Sequence, residues 1–432
     1  MNVARMYSMI LVLFVRTISA HAWQLGIENY GTQLDQFKQK RGALVANQTS
    51  VTSTGVPTLT VLQNAGCTIT TLLAPEHGFT GTTAAGAAVP NEIHGPTGIP
   101  VVSLYAGGNN AHTIAPELFG TIDVIYVDLP HCGMRHYTYI STLFTIMQSA
   151  ANAHVHVVVF DRPNPLGPLM EGPLVEPTLK SFISIASIPL RYALSMGELA
   201  RYFNTLLTPP ANLTVIPMHG YRRTCEVPHF QAPLSPNVPT RTSCYGYSFL
   251  GLLEEIAPCY AGSNGTKQPF TYILLPEKLH ISHRRWQRLG TLLTRYHIRS
   301  SPTRIYRTRT KTWYTGLSLQ FDALATTRSF SLLLNILNLF DQWGVPLKFS
   351  QSFDKAIGTP LVRNYLQKTS SYAELVTAVN RGLKQFFYSV EPLLLYEPAP
   401  TLALLRMNQP TGSAMYAKRY ERSHAARKSS IS

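Results

Sequence analysis

One glutamate stands out among the residues that could carry acid–base chemistry. Glu76 lies in the stretch Ala74-Pro75-Glu76-His77-Gly78-Phe79, where apolar residues flank it and the glycine lets the backbone turn. A carboxyl group that is partly removed from water can have its pKa raised into the range of a general acid. Glycoside hydrolysis uses such an acid, often together with a second carboxylate. The spacing leaves three partners open: Asp128, Asp161 and Glu171.

A second group of polar residues lies in Asp161-Arg162-Pro163-Asn164-Pro165. Each proline fixes φ, so the loop is stiff and suits Arg162 and Asn164 for hydrogen bonding to a ligand. Asp161 also has a structural interpretation, either as the partner of Arg162 or as the cap of a turn.

Sequence signatures of nucleotide, metal and serine-hydrolase sites are missing. No GxGxxG motif follows the first strand-like run, and GxxxxGK[ST], GxSxG and HExxH do not occur. His77, His131 and His136 lack metal-ligand spacing. The sequence therefore predicts neither a metal site nor a cofactor.

Helices and strands must position the candidate residues. Apolar runs of strand length recur through the first half of the chain. Their β-branched, nearly continuous apolar character is typical of a parallel sheet covered on both faces. Helix-length spacers separate the runs, and 140–153 has helical spacing without Pro or Gly. The alternation predicts a doubly wound α/β sheet. The five runs are 42–45, 68–73, 99–105, 123–128 and 154–160.

Polar or aromatic residues follow each of these runs. Ligands of open α/β sheets bind at the carboxyl ends of the strands, so the set predicts a site at that edge. For each residue alone, an ordinary turn or helix-cap role is the alternative. The residues are Asn47-Gln48-Thr49, Glu76-His77, Tyr105, Asp128 and Asp161-Arg162.

Length and composition bound the class of protein. The chain has 432 residues, of which 45% are hydrophobic and 14% charged, so it can bury a large core and is not a disordered chain. No apolar run reaches the roughly 20 residues needed to span a bilayer, which excludes a multi-span membrane protein. The length suits two domains of ordinary size, or one domain with large insertions.

The net charge of +15 is concentrated in two segments. Nine basic and no acidic residues lie in 284–311, interleaved with aromatic residues, and 406–428 has six basic residues and one Glu. The first segment resembles a nucleic-acid surface. Because we expect export, an anionic wall or membrane surface is favoured over nucleic acid, and a solvated face remains the alternative. The tail, 401–432, is predicted to be disordered.

The first 22 residues are predicted to be a secretory signal peptide. Arg5 precedes the apolar run 9–15, and Ala20-His21-Ala22 fits a cleavage site. A membrane anchor is the alternative. Export to the periplasm or the medium would place the five cysteines in an oxidising compartment. Those at 225, 244 and 259 could include a disulfide or could be isolated buried thiols.

Motifs in the same order through most of the chain resemble the bacterial NamZ-type exo-β-N-acetylmuramidases, a family long catalogued as a domain of unknown function. The matching stretches are Arg41–Thr49, Ala74–Phe79, Gly133–Thr142, Asp161–Gly167, Glu171–Pro173, Met196–Ala200, Ser235–Thr240 and Phe353–Thr359.

The resemblance implies a Rossmann-like N-terminal domain (23–190), a smaller C-terminal α/β domain (191–400) and a site in the cleft between them. It implies release of N-acetylmuramic acid from the non-reducing end of peptidoglycan fragments, without a cofactor. Glu76 matches the glutamate proposed as catalytic, and we add Asp161 and Tyr137 as catalytic candidates. Arg135 is hypothesised to bind the lactyl carboxylate of the sugar. The substrate-binding candidates are Asn47, His77, Tyr105, Asp128, Arg135, Tyr139, Arg162, Asn164, Glu171 and Asn237.

The sequence departs from the family pattern at three places. The family's Asp-x-Gln-Asp is Asp128-Leu129-Pro130-His131 here, so the second acid is lost. The regions 255–270 and 316–320 also differ from the pattern. These changes fit an enzyme of altered specificity, or an impaired homologue that binds wall fragments or anionic surfaces. The presence of Glu76 favours an active enzyme.

Overall fold

The computed structural model describes residues 23–106, 114–225, 227, 232–263, 266–321 and 327–407. The predicted signal peptide lies outside these residues, as does the predicted tail from residue 408 onward. Within the described ranges, no helix is both long enough and apolar enough to cross a membrane.

A seven-stranded sheet organises the first half of the chain. Its order is β3-β4-β2-β1-β5-β6-β8, and every neighbouring pair is parallel except β3 and β4. The predicted Rossmann-like α/β sheet is confirmed. The strands are β1 (Arg41–Val45), β2 (Thr68–Ala74), β3 (Glu92–Ile93), β4 (Pro100–Ser103), β5 (Val124–Val127), β6 (His156–Phe160) and β8 (Leu213–Ile216).

Both faces of this sheet are covered, which explains why its strands read as continuous apolar runs. Alternate residues of β1 enter two separate hydrophobic clusters, with Ala43 and Val45 in one and Leu44 in the other. Helices α1 (Thr58–Asn64) and a 3-10 helix (Gly31–Phe37) supply apolar side chains to the second cluster.

The opposite face packs against α3 (Tyr139–Asn152) and α4 (Met196–Asn204). Helix α4 begins with the expected capping box, because Ser195 Oγ accepts from Glu198 N at 3.2 Å and the Glu198 carboxylate accepts from Ser195 N at 2.9 Å. Strand β8 follows α4, so the sheet continues past residue 190, where we predicted the first domain to end. A shorter helix between β4 and β5 is α2 (Pro116–Phe119).

The second half adds a three-stranded antiparallel sheet and a layer of helices. The sheet order is β10-β12-β11, from β10 (Tyr272–Pro276), β11 (Ile298–Arg307) and β12 (Thr312–Phe321). A short antiparallel pair joins β9 (Ile256–Ala257) to β13 (Lys348–Phe349). The helices are α5 (Arg241–Leu253), α6 (His283–Thr294), α7 (Ser329–Gln342), α8 (Gln351–Ile357), α9 (Leu361–Leu366) and α10 (Tyr372–Val390).

After α10 the chain returns to the first half. Strand β14 (Thr401–Leu402) runs parallel to β7 (Leu169–Met170), and Thr401 N and Ala403 N donate to Pro168 O and Met170 O at 2.8 and 2.9 Å. The prediction of disorder from residue 401 therefore does not hold for 401–407.

Candidate active site

Glu76 lies just beyond the carboxyl end of β2, and its side chain is 8% exposed. Its Oε1 accepts a hydrogen bond from Gly86 N at 2.9 Å, and its Oε2 accepts one from Thr138 Oγ1 at 2.6 Å. The Tyr105 hydroxyl also bonds to Glu76, and burial together with that carboxyl raises the pKa of Tyr105. One carboxyl thus has three partners, from three different segments.

The turn after Glu76 sets its direction. His77 and Gly78 both have positive φ, 73° and 82°, a conformation that glycine tolerates and a histidine rarely adopts. His77 Nδ1 lies 2.7 Å from Thr83 O, which fastens the loop that carries Gly86. His77 was predicted to bind substrate, and in the structure it organises the loop that holds Glu76.

Asn47, one of the strand-end residues, and Tyr139, named from the family resemblance, meet beside Glu76. Asn47 Nδ2 donates to the Tyr139 hydroxyl at 2.8 Å, and that hydroxyl lies 3.3 Å from Glu76 O and from Leu234 O. Burial raises the pKa of Tyr139 above its ordinary range. The pair fixes the main chain at Glu76 and joins it to the 234 segment.

Tyr137 was predicted to be catalytic, and its contacts indicate another role. Its hydroxyl donates to Leu234 O at 3.1 Å, and burial raises its pKa well above the ordinary value. Asn237 lies half-buried in the turn between Ser235 and Val238, in the same segment. Tyr105, rather than Tyr137, has its hydroxyl on the Glu76 carboxyl.

Asp128 and Arg162 form a buried pair below this site. The carboxylate accepts from Arg162 Nε and Nη2 at 2.6 Å each and from the Thr58 hydroxyl. Ser50 Oγ donates to Asp128 O at 2.5 Å and accepts from Asn47 N at 3.0 Å. The pair supports the loop that carries Asn47, so both residues, predicted to bind substrate, are occupied internally.

Asp161 is fully buried, and four donors surround it. Oδ1 accepts from Gly197 N and Arg162 N at 2.6 and 2.8 Å, while Oδ2 accepts from Ser195 Oγ and Tyr396 Oη at 2.9 and 2.5 Å. Burial raises its pKa to about 7. These contacts leave no oxygen directed at a substrate, so the predicted catalytic role of Asp161 is not supported.

Arg135 was predicted to bind a sugar carboxylate, but its guanidinium is used inside the fold. Nη1 donates to Pro173 O and Ile188 O at 2.7 Å each, Nη2 donates to Ala356 O at 2.9 Å, and Nε lies 3.3 Å from Ser184 Oγ. Burial lowers its pKa to about 9. The side chain joins segments from both halves of the chain, and this geometry does not fit a substrate ligand.

Asn164 and Glu171 are also structural. Asn164 Nδ2 donates to Leu194 O at 3.1 Å and its Oδ1 accepts from Leu166 N at 3.0 Å. Glu171 Oε1 accepts from Phe330 N at 2.9 Å and from Ser329 Oγ at 2.5 Å, which places a carboxylate at the start of α7.

His131 is the residue that stands where the family resemblance led us to expect a second acid. It is buried, its Nδ1 lies 2.5 Å from the Tyr192 hydroxyl, and the two rings stack at 5.6 Å. Burial lowers the pKa of His131 to about 3, so the ring is neutral at physiological pH. A neutral imidazole therefore stands where a carboxylate would be charged.

Sequence reasoning missed Thr138 and the Gly86 N–H, which touch Glu76. Thr138 lies within a matched motif, and its place directly before α3 was the available signal. No signal marked Gly86, because a main-chain donor depends on the loop and not on residue type.

All five cysteines are free thiols. Among the described residues, no group of three or more His, Cys, Asp or Glu could hold a metal ion.

Comparison with known proteins shows the family of this chain. Residues 43–242 match the family model for the N-terminal part of exo-β-N-acetylmuramidase NamZ. The peptidoglycan β-N-acetylmuramidase NamZ of Bacillus subtilis (strain 168) is 30% identical over 378 residues, covering 84% of this chain and 88% of that protein. The chain belongs to the NamZ family. It is therefore related to glycoside hydrolases that act on peptidoglycan.

Solved structures show that the NamZ-family fold extends through most of the chain. A DUF1343 family protein from Bacteroides fragilis NCTC 9343 has a TM-score of 0.75 at 26% identity, covering 87% of this chain and 99% of its own. A second one from the same strain has a TM-score of 0.68 at 23% identity and the same coverage.

Proposed function

We propose that this protein is an exo-β-N-acetylmuramidase that releases N-acetylmuramic acid from the non-reducing end of peptidoglycan fragments, with Glu76 as general acid and base. The observation that carries the proposal is the placement of Glu76. A nearly buried carboxyl at the carboxyl end of a central parallel strand, in a NamZ-family chain, has the position and chemistry that glycosidic-bond cleavage requires.

The partners of Glu76 suit a group that changes its protonation state. The Gly86 N–H can only donate, so Oε1 remains an acceptor. The Thr138 hydroxyl can donate to a carboxylate and can turn to accept from a carboxylic acid. Oε2 is therefore the atom that carries the proton, which passes to the glycosidic oxygen as the bond breaks and returns from the attacking water.

The test is turnover of a chromogenic β-N-acetylmuraminide by the wild type, Glu76→Gln and Glu92→Gln. Glu92 is exposed on the edge strand β3 and serves as a matched control. We expect Glu76→Gln to lower kcat by about 10²–10⁴-fold and Glu92→Gln to leave it unchanged. Loss of activity in both variants would point to a general effect of removing charge, against the assignment of Glu76.

A non-catalytic homologue is the second candidate, favoured by the neutral His131 at the position of the missing acid. It predicts that wild type and Glu76→Gln both fail to turn over the substrate, while muropeptides still bind in calorimetry.

We also propose export through residues 1–22. Cell fractionation of the full chain against a variant lacking those residues tests it, and equal distribution of the two would contradict export.

A further inference from the structure

A basic and aromatic surface lies at the hairpin of the smaller sheet. Residues 278–321 contain ten Lys or Arg and no Asp or Glu, and they form α6, β11 and β12. We use the term hairpin patch for five of their side chains: Arg304, Tyr306, Arg309, Lys311 and Trp313. None of the five contributes to the bonds around Glu76 described above.

Two aromatic rings form the centre of the hairpin patch. Tyr306 and Trp313 pair across β11 and β12, their ring centroids are 5.3 Å apart, and they are 47% and 42% exposed. Large apolar side chains that lie together and exposed on a folded surface indicate a site that contacts a partner molecule.

Arg304 lies on the same face as Tyr306, because alternate residues of a strand point to one side. Its guanidinium is 4.0 Å from the centroid of the Trp313 ring, and Glu277 holds it with two bonds of 3.0 and 2.8 Å. The arginine is thus stacked and oriented while its side chain remains half exposed.

The tip of the hairpin adds charge without apolar residues. A 3-10 turn (Thr308–Thr310) connects the strands, and Arg309 and Lys311 are exposed on either side of Thr310. Strand β11 is the edge of its sheet, so the patch faces outward along one border of the molecule.

We propose that the hairpin patch binds an anionic polysaccharide at a place separate from the Glu76 site. The flat rings can pack against the faces of sugar rings, and the cations at the tip pair with carboxylate or phosphate groups along the chain. A polar tip lacks the apolar wedge that inserts into a bilayer. Glu277 neutralises Arg304, so fewer cations of the patch remain for the closely spaced phosphates of a nucleic acid.

The proposal goes beyond the enzymatic function and holds whether or not Glu76 is catalytic. Sedimentation of the full chain with insoluble peptidoglycan sacculi measures the binding. The patch variants are Tyr306→Ser and the double variant Arg309→Gln/Lys311→Gln. The control, Arg381→Gln/Lys384→Gln, removes the same charge from exposed positions of α10.

We expect each patch variant to bind sacculi at least about fivefold more weakly than the wild type. The control is expected to bind as the wild type does. Turnover of the small chromogenic substrate should be unchanged in all of these variants. An equal loss in the control would show that only net charge matters and would overturn the proposal. Tighter binding of the wild type to single-stranded DNA or to phosphatidylglycerol vesicles, lost in the same variants, would assign the patch to another partner.

Sacculi stripped of phosphate polymers by acid distinguish the two sources of negative charge. Binding that survives stripping assigns the patch to the carboxylates of the peptidoglycan itself, and binding that is lost assigns it to the attached phosphate polymer. Patch variants that bind unstripped sacculi as tightly as the wild type would refute both.

Discussion

Thr138 and Tyr105 give Glu76 two hydroxyl partners that come from different elements. Thr138 is the residue directly before α3, the helix that packs on one face of the central sheet, whereas Tyr105 lies two residues after strand β4. The rigid partner is therefore Thr138, since its main chain leads into a 14-residue helix whose inner face is buried. We expect this contact to orient the carboxyl more strongly than the contact with Tyr105.

Replacing Thr138 with Val removes the hydroxyl and keeps the shape of the side chain. We expect kcat to fall about tenfold with little change in KM, because Glu76 Oε2 loses the partner that orients it. Steady-state kinetics at several pH values measure the effect, and a shift of the alkaline limb of the profile, along which a general acid loses its proton, would show that the hydroxyl acts through Glu76. Thr138→Ser keeps the hydroxyl, so a defect as large in this variant would argue against the role.

Replacing Arg135 with Ala distinguishes a structural role of this residue from a role in binding the sugar carboxylate. Four acceptors, three of them main-chain carbonyls, lose a buried donor, so we expect the free energy of unfolding to fall by about 3 kcal/mol or more. Urea denaturation followed by circular dichroism checks this. A variant of normal stability that no longer distinguishes muramic acid from glucosamine would restore the role inferred from sequence.

The polar residues of the candidate site also show which contacts could be predicted from the sequence. Glu76 and Asn47 follow the ends of neighbouring parallel strands and do meet at one edge of the sheet, where both contact Tyr139, the first residue of α3. Asp161 and Arg162 follow a strand too, yet they bond inside the protein. Which polar groups turn inward depends on distant partners such as Tyr396, and no local pattern encodes a contact across 235 residues.

At the scale of elements, the end of β6 is tied to the segment after α10. Tyr396 donates to Asp161, Glu198 accepts from Leu395 N at 2.9 Å, and Arg223 bonds to Glu198 at 2.7 and 2.9 Å. The result is a buried polar network that connects β6, α4 and the returning chain.

This network makes stability depend on pH. Burial raises the pKa of Asp161 to about 7, whereas an unfolded aspartate titrates at about 3.9. From pH 4 to pH 7 the folded form keeps a proton that the unfolded form has lost, so the free energy of unfolding falls as pH rises, by up to about 4 kcal/mol. Asp161→Asn cannot titrate. We expect its denaturation curves to show a much weaker decline over this range, and a slope equal to that of the wild type would contradict the assignment.

Some helices and strands could be predicted from the sequence and others could not. The five strands and the helix at 140–153 were found within two residues or so, because their apolar residues are nearly continuous or helically spaced. Strand β8 has only four residues, three of them partly exposed, and β11 mixes Pro302 with arginines. Neither carries the pattern of a buried strand, so pairing with a neighbour, rather than burial, defines them.

At the scale of the whole molecule, one hydrophobic cluster extends through both halves of the chain. It contains Val127 of the central sheet, Phe249 of α5 and Leu383 of α10. The second domain predicted from residue 191 therefore shares its core with the first, and β8 completes the sheet from beyond that boundary.

We expect the chain to unfold in one cooperative transition, and the fragment 23–190 to remain unfolded alone, because it lacks β8 and exposes the edge of β6. Thermal denaturation of residues 23–407, followed by near- and far-ultraviolet circular dichroism, checks the first point, and the fragment's far-ultraviolet spectrum checks the second. Two separate transitions, or a folded fragment, would show that the halves are independent.

The bond between Tyr396 and Asp161 has a consequence for how the chain is made. A ribosome adds residue 396 only 235 positions after residue 161. Until then the carboxyl of Asp161 lacks one of its four donors, and β7 lacks the strand that pairs with it. The segment that begins at Tyr396 thus completes structure at the end of β6, and a chain that stops before this residue would leave its first half unfinished.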